Sequence, residues 1–235
     1  MPPSASTASC GGLISQRRCS KAHPHDTVGD PGKSAAMAQD KPFDRQTLES
    51  ALEALGRRAY AEGKTIEIAI YGGSALMLTY DWRLATKDVD AVFESDKQTV
   101  RRLAQVIAEE NGWDPDWLND GVKGFLSAAD RGPNAKRLFR TFPSEIEPGL
   151  RVMVANPAYI FAMKCRAMRI GGIDETTDVD DIKRLARELR LTSAQEALDL
   201  VAAFYPDRLI EPKTRFGLEE IFSRLKTSDW AGNSS

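Results

Sequence analysis

The reading turns on "IEIAIYGGSALML", residues 66–78, where apolar, β-prone residues run into two glycines and a serine and then into a helix-prone run. "IEIAIY" predicts a strand over Ile66–Tyr71 and "ALML" the start of a buried helix over Ser74–Tyr80, joined by a junction that turns tightly with no side chain in the way. Such a junction is either a plain turn or a phosphate cradle, because the first free N–H groups of a helix point outward and carry a partial positive charge. The residues around it decide.

After Ser74 and thirteen intervening residues the chain reads "DVDAVF", 88–93, an alternating pattern that predicts a second strand. Val89, Ala91 and Phe93 then face the core, and Asp88 and Asp90 leave by the opposite face. Two carboxylates about 4 Å apart at an effective dielectric near 20 repel by roughly 4 kcal/mol, enough to push one toward protonation unless a cation intervenes. Mg²⁺ removes the conflict and can bridge to triphosphate oxygens.

Gly73-Ser74 followed at this spacing by Asp88-x-Asp90 resembles the Gly-Ser…Asp-x-Asp signature of the polymerase-β-like nucleotidyltransferases. More narrowly, "YGGSALML" (71–78), "RLATKDVD" (83–90) and "DWLNDGVKGFL" (116–126) resemble the small prokaryotic nucleotidyltransferases of the DUF6036 type, relatives of the AbiEii toxins. The likeness runs from about Ile66 to Leu191. It implies the nucleotidyltransferase fold, with NTP phosphates held at Gly72, Gly73 and Ser74, Mg²⁺ held by Asp88 and Asp90, and Lys164 placed against the developing charge. It also implies transfer of a nucleoside monophosphate to tRNA or a protein, in a toxin–antitoxin or phage-defence setting with a cognate antitoxin or toxin as partner. Arg83 is a further candidate for phosphate, against a place on a solvated loop with Lys87.

The sequence departs from the family pattern twice. A third metal carboxylate is expected on a later strand, where "LRVMVA" (150–155) offers only Arg151, with Glu145 and Glu147 upstream in a loop. The helix motif Asp178-x-x-Asp181 follows Thr177 where the pattern has Arg. We expect Asp178 or Asp181 to replace the third carboxylate. The plainer reading is that Asp178, Asp180 and Asp181 complement a helix dipole at about 0.3–1 kcal/mol each, and that Lys164 snorkels at the surface. A non-catalytic binding module of the same fold is the alternative function, and the missing strand carboxylate is its best support.

Outside these motifs, residues 1–40 are rich in Ser, Ala, Gly and Pro and lack aromatic residues, which predicts a disordered tail that precedes Met37 as an upstream extension of the start. Cys10, Cys19, His23 and His25 all lie in that tail. The folded part therefore has no imidazole for a nucleophilic triad or a zinc site. Cys165 alone fits a reducing cytoplasm and reads as a small buried hydrophobe. The net charge of −2 argues against a surface that coats nucleic acid, and no run reaches the length of about eighteen apolar residues that predicts a membrane span. Helical periodicity over "FDRQTLESALEALGRRAYAEG" puts Leu48, Leu52, Leu55 and Ala59 on one face, and Asn156 as N-cap with Pro157 at the first helical position opens a later helix. The element order predicts a small mixed sheet with helices packed on it: a core over 41–155 and a helical part over 156–228. Trp113, Asp114, Trp117 and Phe125 read as an ordered packing segment rather than a base-stacking platform.

Overall fold

A computed structural model describes residues 42–132, 134–168 and 177–232, the part 226–232 by its backbone alone, and these described residues belong to one compact unit. The tail, with its cysteines, histidines and Met37, lies outside the described residues, as does the Gly171-Gly172 pair.

Helix α1 (Arg45–Ala61) starts where the Asp44 carboxylate accepts the Thr47 N–H at 2.7 Å. Its predicted face, Leu48, Leu52, Leu55 and Ala59, is fully buried. Strand β1 (Ile66–Ile70) follows, then α2 (Gly72–Thr79) and β2 (Val89–Phe93). Next come α3 (Lys97–Asn111), the two-residue β3 (Leu118–Asn119), β4 (Lys136–Pro143) and β5 (Pro148–Ala155). The C-terminal part holds α4 (Pro157–Ala167), α5 (Thr177–Glu188), α6 (Ala194–Phe204) and α7 (Pro212–Gly232).

The five strands form one mixed sheet in the order β3-β2-β1-β5-β4. Central β1 runs parallel to β5 and antiparallel to β2, and β4 closes the far edge antiparallel to β5. The architecture is thus mixed α/β with C-terminal helices, as the element order implies. Val89, Ala91 and Phe93 are buried, and so is Cys165. No helix among the described residues is long and apolar enough to cross a membrane.

Two local readings change, and one strand has no signal in the sequence. Helix α2 opens at Gly72 rather than Ser74, and Gly72 itself takes a φ of +58°, a left-handed conformation that an L side chain rarely adopts. Strand β4 has no clean alternation in its sequence: it is an edge strand, exposed at Arg137, Leu138 and Arg140 and buried at Thr141 and Phe142, with a register shift between Leu138 and Arg140. Asn156 precedes α4, but its side-chain amide donates to the Asn134 carbonyl at 2.7 Å instead of capping the helix.

Helix α1 meets the sheet through glycine. A Cβ on Gly149 of β5 would stand 1.8 Å from the Gly56 carbonyl oxygen of α1, and one on Gly56 would stand 2.6 Å from the Phe142 carbonyl oxygen. Backbone therefore packs directly on backbone, which draws the helix down onto β4 and β5 and seals that face of the core.

Candidate active site

The register of the first two strands brings the turn and the carboxylates together. Ile70 pairs with Ala91, so the Tyr71 N–H donates to the Asp90 carbonyl at 2.9 Å and the turn begins opposite Asp90. A Cβ on Gly72 would lie 3.0 Å from the Asp90 Oδ2, so glycine is what lets the carboxylate approach the start of α2.

Ser74 is buried, and its hydroxyl donates to the Asp88 carbonyl at 2.8 Å, where the Thr86 hydroxyl also donates at 3.1 Å. The serine thus ties α2 to the start of β2. Asp88 is exposed, and its carboxylate accepts from the Asn119 amide at 3.3 Å. Asn119 is a residue to which the sequence pattern gives no role. It pairs with Asp90 across β2 and β3, and its Oδ1 accepts the Gly121 N–H at 2.9 Å. Asp90 is half-buried, and its carboxyl is pushed above the usual carboxylate range, first by burial and then by the Asp88 charge, with Lys164 opposing and Asp178 adding.

A cleft of about 300 Å³ opens beside Asp90. Gly72 and Asp90 line one side, Lys164 and Asp178 another, and Phe125 and Met163 contribute an apolar wall. Lys164 reaches Asp178 at 2.6 Å and Asp181 at 2.9 Å. The Arg83 Nη1 in turn lies 3.2 Å from both oxygens of Asp181.

The three aspartates of α5 consequently separate by depth. The Asp181 side chain is 3% exposed and held between two cations, Asp178 is 60% exposed at the cleft, and Asp180 faces solvent beside Lys183. Arg83 is folded inward to Asp181, whereas Lys87 is exposed. Of the aromatic segment, Trp117 is buried with its Nε1 donating to the Ala104 carbonyl, Trp113 packs edge-on to Phe43, and Phe125, 42% exposed with the Arg166 guanidinium over its ring, lines the cleft.

Among the described residues no group of three His, Cys, Asp or Glu side chains forms a cage for a metal ion. Mg²⁺ does not need one, since it commonly takes one or two carboxylates and completes its shell with water and phosphate oxygens. Asp90 on β2 and Asp88 in the bend just before it, the first lining the cleft and the second outside its lining, are two hard-oxygen donors, short of counter-charge at Asp90, that fit an Mg²⁺ ion arriving with a triphosphate.

No family model and no curated protein matches this chain. Among solved structures it is similar to an antigenic nucleotidyltransferase-like protein from Paracoccidioides brasiliensis, at 18% identity and a TM-score of 0.40 over 76% of this chain and 94% of that one.

Proposed function

We propose that this protein is a Mg²⁺-dependent nucleotidyltransferase that moves a nucleoside monophosphate from NTP to an acceptor hydroxyl. The observation that carries the reading is the convergence on one cleft of the α2 turn at Gly72, the Asp90 carboxylate and the Lys164 ammonium. The α2 N-terminus supplies backbone N–H groups and a partial positive charge for phosphate oxygens. Asp88 and Asp90 would hold Mg²⁺, with Asp178 as the third carboxylate facing the same space; Asp181, between Arg83 and Lys164, is spent on its ion pairs. The bound metal would supply charge neutralisation on the phosphates. The acceptor oxygen attacks the α-phosphorus in line, a P–O bond forms, the bond to the β-phosphate oxygen breaks, and pyrophosphate leaves. Lys164 balances the negative charge that grows on the α-phosphate. TRNA or a protein as acceptor, and a toxin–antitoxin or phage-defence setting with a cognate antitoxin or toxin, are the parts of the proposal supported by the sequence resemblance.

Mg²⁺ and NTP added together are expected to raise the melting temperature by about 5 °C or more near a hundredfold excess over Kd, and neither alone should do so. Transfer is then read from radiolabelled NTP incubated with total tRNA and with cell lysate. The absence of a carboxylate on β5 favours one second reading, a binding module, which predicts no Mg²⁺-dependent shift and no transfer.

Phe125 gives the nucleobase a surface. Phe125→Ala is expected to raise KM for NTP about tenfold, as the loss of one base–aromatic stack predicts, with kcat little changed. Steady-state transfer kinetics at varied NTP check it.

A further inference from the structure

Arg83 lies in the link between α2 and β2, yet its side chain is only 16% exposed and its Nε is buried without a hydrogen-bond partner. One amino group, Nη1, holds both oxygens of Asp181. The other lies against the turn, since a Cβ on Gly73 would stand 2.9 Å from Nη2 and 3.2 Å from the Thr86 hydroxyl. Asp181 passes its charge on to Lys164 at 2.9 Å. A continuous series of contacts therefore runs from the second glycine of the turn, through a buried arginine and a buried carboxylate, to the cation of the cleft.

A buried arrangement of this kind contributes little net stability, because taking the charges out of water offsets much of their attraction. What it does fix is direction. A lysine has a flexible four-carbon stem, and two carboxylates at once leave its ammonium one place to sit. We propose that Arg83 and Asp181 are positioning residues that hold Lys164 at the cleft, and that Gly73 is glycine in order to seat Arg83. The catalytic consequence rests on the transferase reading above, whereas the placement of Lys164 does not.

Both parts are tested on the full chain. The Lys164 amine is modified with a small acylating reagent and its rate followed by mass spectrometry. Asp181→Asn is expected to speed the modification about tenfold, as the loss of one charge-assisted hydrogen bond predicts. Gly73→Ala acts in the same direction by displacing the guanidinium, Arg83→Lys acts less because a single nitrogen touches Asp181, and Asp180→Asn changes nothing. In transfer assays Asp181→Asn lowers kcat about a hundredfold with KM for Mg²⁺–NTP nearly constant, the mark of a misplaced catalytic group. An unchanged Lys164 rate in Asp181→Asn, or an equal acceleration in Asp180→Asn, overturns the proposal. Where Asp181→Asn does not fold, Gly73→Ala and Arg83→Lys decide by the same criterion. Faster modification in a protein that transfers nothing keeps the placement and removes the transferase reading instead.

Discussion

Replacing Asp90 with Asn should leave the chain folded and remove transfer, by about a thousandfold or more, the equivalent of roughly 4 kcal/mol of lost charge stabilisation in the transition state. Activity and metal-free stability should move in opposite directions. The Asp90 carboxyl titrates above its usual range, chiefly because it is buried and secondly because Asp88 stands beside it. An acid whose folded pKa is raised contributes stability below its unfolded pKa and loses that contribution as pH rises through the folded value. Wherever it is ionised the side chain is therefore a net cost to the fold, and the amide removes that cost at almost constant volume. Thermal melts without metal should show an equal or higher midpoint for Asp90→Asn, and transfer assays at saturating Mg²⁺ and NTP should show the loss. An unfolded variant, or one with near-normal turnover, takes Asp90 out of the metal site.

Gly149→Ala should be the most damaging glycine-to-alanine change among the described residues. The added carbon meets the Gly56 carbonyl oxygen at 1.8 Å, the Gly56 carbonyl carbon at 2.7 Å and the Tyr60 amide nitrogen at 2.9 Å, all of them backbone atoms of α1. A side chain in the way could rotate, but a helix must move as a body. Overpacking in cores costs about 1–3 kcal/mol where side chains can adjust, so a clash with backbone belongs at or beyond the upper end, with a fall in melting temperature of roughly 6 °C or more. Gly124→Ala, where an added Cβ meets nothing within 4 Å, is the matched control and should melt near wild type. Equal melting points for the two variants would mean that α1 does not lie on β5 as described.

Periodicity carried most of the fold. Leu48, Leu52, Leu55 and Ala59 recur at helical spacing, and Val89, Ala91 and Phe93 alternate, because each set faces a single apolar layer. Strand β4 escaped this logic because an edge position and a register shift let Arg137, Leu138 and Arg140 all face water, which erases the alternation. The site was legible as a pair of motifs and not as a set of roles. Ser74 is where the Gly-Ser pattern puts it, but its hydroxyl faces the Asp88 carbonyl. Spacing makes Asp178 and Asp181 neighbours on a helix, yet it does not say how deep each lies. Val179, Ile182 and Leu185 pack α5 inward, and Asp181 at the border of that face is carried under with them. Arg83 is read from the sequence as a phosphate candidate, but its partner Asp181 lies 98 residues away, and Asn119 sits on a two-residue strand, so no local pattern announces the contact either one makes.

The antiparallel pairing of β1 with β2 has a consequence for how the motif itself is understood. The turn and the carboxylates are held together by strand pairing at Ile70 and Ala91, and the number of residues between them is incidental to that geometry. The link from Asp81 to Ala85 is anchored at its exit by Thr86, bridged to Phe43, and within it by Arg83. Leu84 beside that arginine stands almost entirely in water. Residues added or removed beside Leu84, with Trp82 kept against the core and Arg83 on Asp181, should therefore leave the turn and the carboxylates opposed.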